Sequence, residues 1–296
     1  MVDSADFKAL ADRAVAQSGR GHMRPVIEKE LLHFDILFRL DQEGLLDALT
    51  FQGGTALRLC YGSPRFSEDL DFVGGVDFSG SQLEGLSQCL EHYIGRRYGL
   101  TVVVKEPAEL RNEPAYRGLN VDKWQISVVT APQRPDIPRQ RIKIEVANIP
   151  AYSRVPRSLN ANYEFLPDGY GDTLVLTESL DEILADKVVS LVNTQGYVRH
   201  RDIWDLRWLR QREAKLVPKW VNSKIRDYGV EGFEDKLDSM RERLPAIIHG
   251  EAFVSEMRRF LPMDVQERTL RKGKFLEFLA SDIGELLDLV RAECEV

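Results

Sequence analysis

One change of pattern, near Thr177, constrains the fold more than any other feature of this chain. Ahead of it, helical and strand-like runs alternate; beyond it, only helical spacings remain. The later runs are Leu180 to Val192, Arg201 to Arg212, Val217 to Tyr228, Phe233 to Arg243, Glu251 to Phe260 and Lys274 to Glu293. The earlier pattern predicts a helix over Val26 to Leu46 and a short strand over Leu49 to Gln52. A glycine turn follows, then a helix from Thr55 to Cys60 with Thr55 at its start. Ser67 to Val73 reads as a strand and Ser81 to Tyr98 as a helix. Leu100 to Lys105, Trp124 to Thr130 and Arg141 to Ala147 read as further strands. The expected fold class is therefore α+β, a mixed lobe over 1–150 followed by an all-helical C-terminal lobe over 173–296. Between them, 151–172 reads as a linker, because Pro150, Pro156, Pro167, Gly169 and Gly171 punctuate this part of the chain.

At 296 residues the chain is long enough for two such lobes. Apolar residues make up 43% and charged residues 29%, which supports a packed core and excludes disorder. No apolar run is long enough for a membrane span, and no secretory signal is read at Met1 to Asp6. Cys60, Cys89 and Cys294 form neither a disulfide framework nor a zinc spacing, so a cytoplasmic location is expected. With a net charge of −7, any nucleic-acid partner needs a local basic patch.

The chemistry concentrates in four places. Gly53-Gly54 lies at a strand-to-helix turn, where backbone N–H groups can approach a phosphate. Shortly after it, Asp69 and Asp71 are two apart on a strand and share one face. Paired like charges call for a cation between them, and a hard divalent ion takes oxygen ligands. Glycine turn and carboxylate pair together are equipment for metal-assisted phosphoryl or nucleotidyl transfer. Ser67, two residues earlier, falls on the same strand face. In Arg141 to Val146, strict alternation places Lys143 and Glu145 on one face. Glu145 is either a third carboxylate beside the pair or one partner of an ordinary polar strand face. Lys187 falls inside the apolar stripe of its helix, where it either snorkels to water or meets a phosphate. Finally, Arg199, Arg201, Arg207, Arg210 and Arg212 surround Asp202 and Asp205, interleaved with Trp204 and Trp208. Such arginines suit phosphate contacts, whereas the tryptophans at helical spacing suit the core.

Phe51 to Leu57 followed by Arg65 to Phe72 resembles the signature of the AbiEii-type nucleotidyltransferases. These are toxins of type IV toxin–antitoxin and abortive-infection systems, the mycobacterial MenT toxins among them. Ile142 to Glu145 resembles the family's next strand. Lys187 with Arg201 to Leu206 resembles its lysine and Arg-Asp-x-x-Asp-Leu pattern. The resemblance runs from about Ile27 to Leu209. It implies a polymerase-β-like nucleotidyltransferase lobe, NTP as substrate, and Mg²⁺ or Mn²⁺ as cofactor. It implies catalytic roles for Asp69, Asp71, Lys187 and Asp202 or Asp205, with metal at Asp69 and Asp71; Glu145 is the candidate third metal ligand from its place on the strand. Nucleotide contacts are implied for Gly53, Gly54, Thr55, Arg65, Ser67 and Lys187, and in some relatives the serine at the Ser67 position is phosphorylated. The expected acceptor is RNA, the tRNA 3′ end, contacted by Arg199, Arg201, Arg207 and Arg210, so that translation is blocked. A cognate antitoxin is the expected partner. The alternatives are a protein or small-molecule acceptor, or an inactive nucleotide-binding module.

Overall fold

The computed structural model describes residues 6–18, 21–110, 121–167, 169–194 and 197–294. The chain divides into two compact units, Met1–Thr177 and Glu178–Val296.

The first unit is built on seven strands: β1 (Thr50–Gln52), β2 (Leu70–Val73), β3 (Val102–Lys105), β4 (Val121–Val128), β5 (Gln140–Ala147), β6 (Val155–Ser158) and β7 (Leu174–Thr177). Their order across the sheet is β3-β4-β5-β2-β1-β7-β6. β2 is central, antiparallel to β1 and parallel to β5. The helices of this unit are α1 (Phe7–Ser18), α2 (Arg24–Gln42), α3 (Gly53–Tyr61), α4 (Leu86–Tyr98) and α5 (Pro107–Leu110). Strand alternation builds the core. Leu70, Phe72, Ile142, Ile144 and Val146 are buried, and the Phe51 and Phe72 rings stack at 4.9 Å. Helix α2 packs against β5 and α4.

Three local features depart from the sequence pattern. The stretch 151–172, expected as a linker, contains β6, which pairs with β7. Its Pro156 is tolerated because β6 is an edge strand with no partner to donate to on its outer side. β2 begins at Leu70 rather than Ser67, so Asp69 stands just before the first paired residue. The helix expected from Ser81 is interrupted: a 3₁₀ turn over Gly80–Leu83 ends before Gly85, whose φ of +86° is costly for any other residue.

The second unit contains α6 (Leu180–Val192), α7 (His200–Gln211), α8 (Pro218–Asp227), α9 (Phe233–His249), α10 (Glu251–Phe260), α11 (Met263–Arg268) and α12 (Gly273–Glu293). No strand occurs among its described residues, which bears out the helical expectation. α6 starts where Ser179 Oγ accepts the Glu182 N–H at 3.3 Å, and its stripe Ile183, Leu184, Val188 and Leu191 is buried. α9 continues past Arg243 and through Pro245 to His249, burying Leu244 and Ile248 on the way. Among the described residues, no helix is long and apolar enough to cross a membrane.

Candidate active site

The glycine turn sits where β1 hands over to α3. Gln52 is extended and Gly53 has a φ of +75°, a conformation that L side chains avoid. The turn also has no room for a side chain. A Cβ at Gly53 would come within 2.6 Å of Asp71 Oδ2. At Gly54 it would collide with the Arg65 guanidinium and lie 2.9 Å from Ser67 Oγ. Asp71, Arg65 and Ser67 therefore crowd around the first turn of α3, whose N–H groups have no intrahelical partner. Arg65 is buried, and its Nη1 donates to the Phe66 carbonyl at 2.7 Å.

Asp69 is oriented by backbone groups. Its Oδ1 accepts the Lys143 N–H from β5 at 3.0 Å. Its carbonyl accepts the Thr55 hydroxyl. Thr55 thus ties α3 to the aspartate segment; the cap of α3 is Gln52, with Gly53 and Gly54 as its opening residues, instead of Thr55. Helix α2 grips the same segment from the other side. Lys29 Nζ lies 2.8 Å from Glu68 Oε1, and His33 Nε2 lies 3.0 Å from the Glu68 carbonyl. Burial pushes the His33 pKa down to about 4, against the pull of that carbonyl, so the ring is neutral and donates from Nε2.

Strand register decides the place of Glu145. Asp71 is opposite Gln52 of β1 and Glu145 of β5, and Glu145 is opposite Lys123 of β4. One row, Lys123–Glu145–Asp71–Gln52, therefore crosses a single sheet face. Lys123 Nζ is 3.0 Å from Glu145 Oε1. Sequence reasoning missed Lys123, because nothing local relates it to Glu145, 22 residues away.

In the second unit, Lys187 of α6 meets α7. Its Nζ is 2.5 Å from Asp202 Oδ1 and 3.2 Å from Asp205 Oδ2. The two aspartates, three apart, share a helix face, and both reach the lysine. Ser190 Oγ donates to Asp202 at 3.0 Å and Arg199 Nε pairs with it at 2.7 Å. Burial opposes the charge on Asp202, but Lys187 and Arg199 outweigh it and hold the carboxyl well below the usual range. Of the remaining arginines, Arg201 lies 3.5 Å from Glu256, and Arg210 lies 2.7 Å from Asp282. Arg207 is half-buried over the Trp204 and Phe275 rings. Trp204 and Trp208 are core, as their spacing suggests.

A second charge cluster lies on α6 and just ahead of it, and the sequence reading did not anticipate it. Glu178, Glu182 and Asp186 converge as three carboxylates could on a metal. The space among them is taken by the Lys224 ammonium of α8, 2.9 Å from each. Tyr228 also donates to Asp186, at 3.1 Å. Burial, together with Asp186 close by, raises Glu178 well above its ordinary range. A cavity of about 520 Å³ beside α4 and β3 is lined by Glu84, Glu91, Glu106 and Glu109, a lining that repels a triphosphate.

The arrangement in the first unit suits nucleotide chemistry, and comparison with known proteins agrees. MenT4, a nucleotidyltransferase toxin from Mycobacterium tuberculosis, matches in structure with a TM-score of 0.53 over 97% of this chain and 99% of its own, at 15% identity. JHP933 from Helicobacter pylori matches with a TM-score of 0.48 over 91% of this chain and 93% of its own, at 17% identity. Among curated protein sequences no match was found. The family model of the nucleotidyl transferase AbiEii toxins, of type IV toxin–antitoxin systems, matches residues 35–283. That span takes in the glycine turn, the aspartate pair and the lysine–aspartate cluster, and the chain belongs to the AbiEii family of nucleotidyltransferase toxins.

Proposed function

We propose that this nucleotidyltransferase moves a nucleotide from an NTP to an RNA acceptor, the tRNA 3′ end. One observation supports this most: the Asp71 carboxylate lies directly against the glycine turn that opens α3. The family implies NTP and a divalent cation, and the donor set fits such a cation. Asp69 and Asp71 offer hard oxygen ligands, and the missing Cβ at Gly53 leaves the Asp71 carboxylate room. A cation bound there supplies electrostatic stabilisation to the transferring phosphate. The chain's own groups do the rest. The N–H groups of the first α3 turn and the Arg65 guanidinium attract the triphosphate. The Lys143 N–H and the Thr55 hydroxyl hold the Asp69 segment in place. In the transfer, an acceptor hydroxyl oxygen bonds to the α-phosphorus, the bond to the bridging oxygen breaks, and pyrophosphate leaves.

Lys187, Asp202 and Asp205 are proposed as the family's further catalytic positions, with Lys187 a phosphate ligand whose charge two carboxylates hold in place. Arg199 and Arg201 are more exposed than Arg210 and suit an RNA backbone. An antitoxin is the regulatory partner that the family implies, and the cytoplasm, where tRNA is charged and used, is the proposed place of action. The test is incubation with each labelled NTP, Mg²⁺ and total RNA, then sequencing of RNA 3′ ends. Extended tRNA ends are expected. Label in protein or small molecules with none in RNA overturns the acceptor assignment.

A further inference from the structure

The sheet row that carries Asp71 continues to Glu145 and ends, two strands away, on an ammonium. Parallel pairing places Glu145 next to Asp71, and antiparallel pairing places Lys123 next to Glu145. Burial along β4 alternates without interruption, so Lys123 belongs to the same face as Gln125 and Ser127, opposite the buried Trp124 and Ile126. Along β5 the same alternation keeps Lys143 and Glu145 together, away from Ile142, Ile144 and Val146. Three carboxylates, Asp69, Asp71 and Glu145, thus gather on neighbouring strands, and Glu145 has an ammonium beside it.

That partner is close and shielded. Lys123 Nζ sits 3.0 Å from Glu145 Oε1, with side-chain exposures of 13% and 26%. Had the row ended on a neutral residue, Glu145 would add a third negative charge beside the pair. Cation affinity rises with the number of charged ligands a site offers. A fixed ammonium offsets that charge and engages Oε1, one of the two oxygens a cation would use. A cross-strand ion pair in an ordinary sheet carries no such consequence, because nothing next to it binds a cation.

We infer that Lys123 is a built-in counter-ion that withholds Glu145 from the cation's ligand set. The divalent ion is then held by Asp69 and Asp71 alone, weakly, until the triphosphate adds its own oxygens. Two carboxylates plus substrate phosphates is the ligand supply that suits Mg²⁺. Lys123 is a positioning residue in this role: it acts on the site through Glu145. The inference rests on reading Asp69 and Asp71 as the metal site.

Nucleotide-free Mn²⁺ binding to the full chain, followed by the loss of the free-ion EPR signal, separates the two. Lys123→Met keeps the stem of the side chain and removes the charge. It is expected to tighten Mn²⁺ binding on the order of tenfold. Adding Glu145→Gln is expected to return the affinity to that of the unaltered chain, and Asp71→Asn to abolish binding in either background. Lys123→Gln serves the same purpose should the methionine variant fold poorly, and circular dichroism checks both. Unchanged affinity in both lysine variants, with Asp71→Asn still abolishing binding, overturns the counter-ion role and leaves the metal site standing. Absence of binding throughout, or indifference to Asp71→Asn, overturns the metal site and the inference with it.

Discussion

A methyl group at Gly53 would need space that Asp71 already holds, and a backbone angle that alanine resists. Gly53→Ala should therefore cost stability, about 1–2 kcal/mol from the backbone alone, and remove transfer activity by displacing Asp71. Thermal unfolding and a nucleotide-transfer assay check the two parts. Asp71→Asn keeps the shape and should abolish transfer while leaving the melting temperature within a few degrees; full activity in that variant would remove the carboxylate from the mechanism. His33 gives a pH signature. Its folded pKa, pushed down by burial from 6.5 to about 4, means that folding favours the neutral ring. The associated stability is present above pH 6.5 and is lost as pH falls through about 4, on the order of 3 kcal/mol in all. Asp35, raised to about 6 by burial, has the opposite dependence, so the quantity to measure is the difference between wild type and His33→Gln in denaturant unfolding at each pH. Equal acid-side losses in both proteins would exclude the histidine as the cause. At this scale the sequence was informative where chemistry is contiguous: Gly53, Gly54, Asp69 and Asp71 stand within 19 residues. It was silent on Lys123 and His33, whose partners come from other elements.

Helix α6 shows the same division. Its span, Leu180 to Val192, follows from apolar spacing, and the structure agrees residue for residue. Its electrostatics do not follow, because the carboxylates against Lys187 come from α7 and the ammonium against Glu182 and Asp186 comes from α8. From the stripe alone, Lys187→Met would be harmless to folding. With Asp202 and Asp205 against the ammonium, the same change takes a shared cation away from two buried carboxylates, of which Asp202 keeps Arg199. The expected loss is about 3–5 kcal/mol, visible as a lower urea midpoint. Removing Asp205 along with the lysine, as Lys187→Met with Asp205→Leu, should restore part of that loss; a stable single variant would show that the pairing contributes little. The strands β6 and β7 escaped the sequence for a different reason. They are four residues each, and one contains a proline, so neither gives a periodicity that stands out from a loop.

For the molecule as a whole, the net charge of −7 makes RNA binding a local matter. Most arginines near α7 are already engaged: Arg210 with Asp282, Arg207 over two rings. Changing those two to glutamine should therefore lower thermal stability before it reports on RNA. Arg199→Gln with Arg201→Gln is the better probe: these two are ion-paired as well, with Asp202 and Glu256, but they are more exposed than Arg210, and an NTP-binding control reports any disturbance of Asp202. If each meets one phosphate, affinity falls and the salt slope loses about 0.7 per contact on single strands, which filter binding across a salt series measures. An unchanged slope would put the acceptor elsewhere. The change from mixed to helical pattern was legible near Thr177, where the two units divide, whereas the strands β6 and β7 of the first unit were not. The ammonium of Lys224, enclosed by Glu178, Glu182 and Asp186, bears on how this chain can diverge. Loss of Lys224 is the costly single replacement, because it takes the ammonium away from three buried carboxylates. A simultaneous exchange for apolar side chains of similar volume can be neutral. A double-mutant cycle on Lys224→Met and Glu182→Leu should accordingly be strongly non-additive. Descendants of this sequence would then keep Lys224 for as long as its carboxylates remain, and a lineage without the lysine would have lost carboxylates with it.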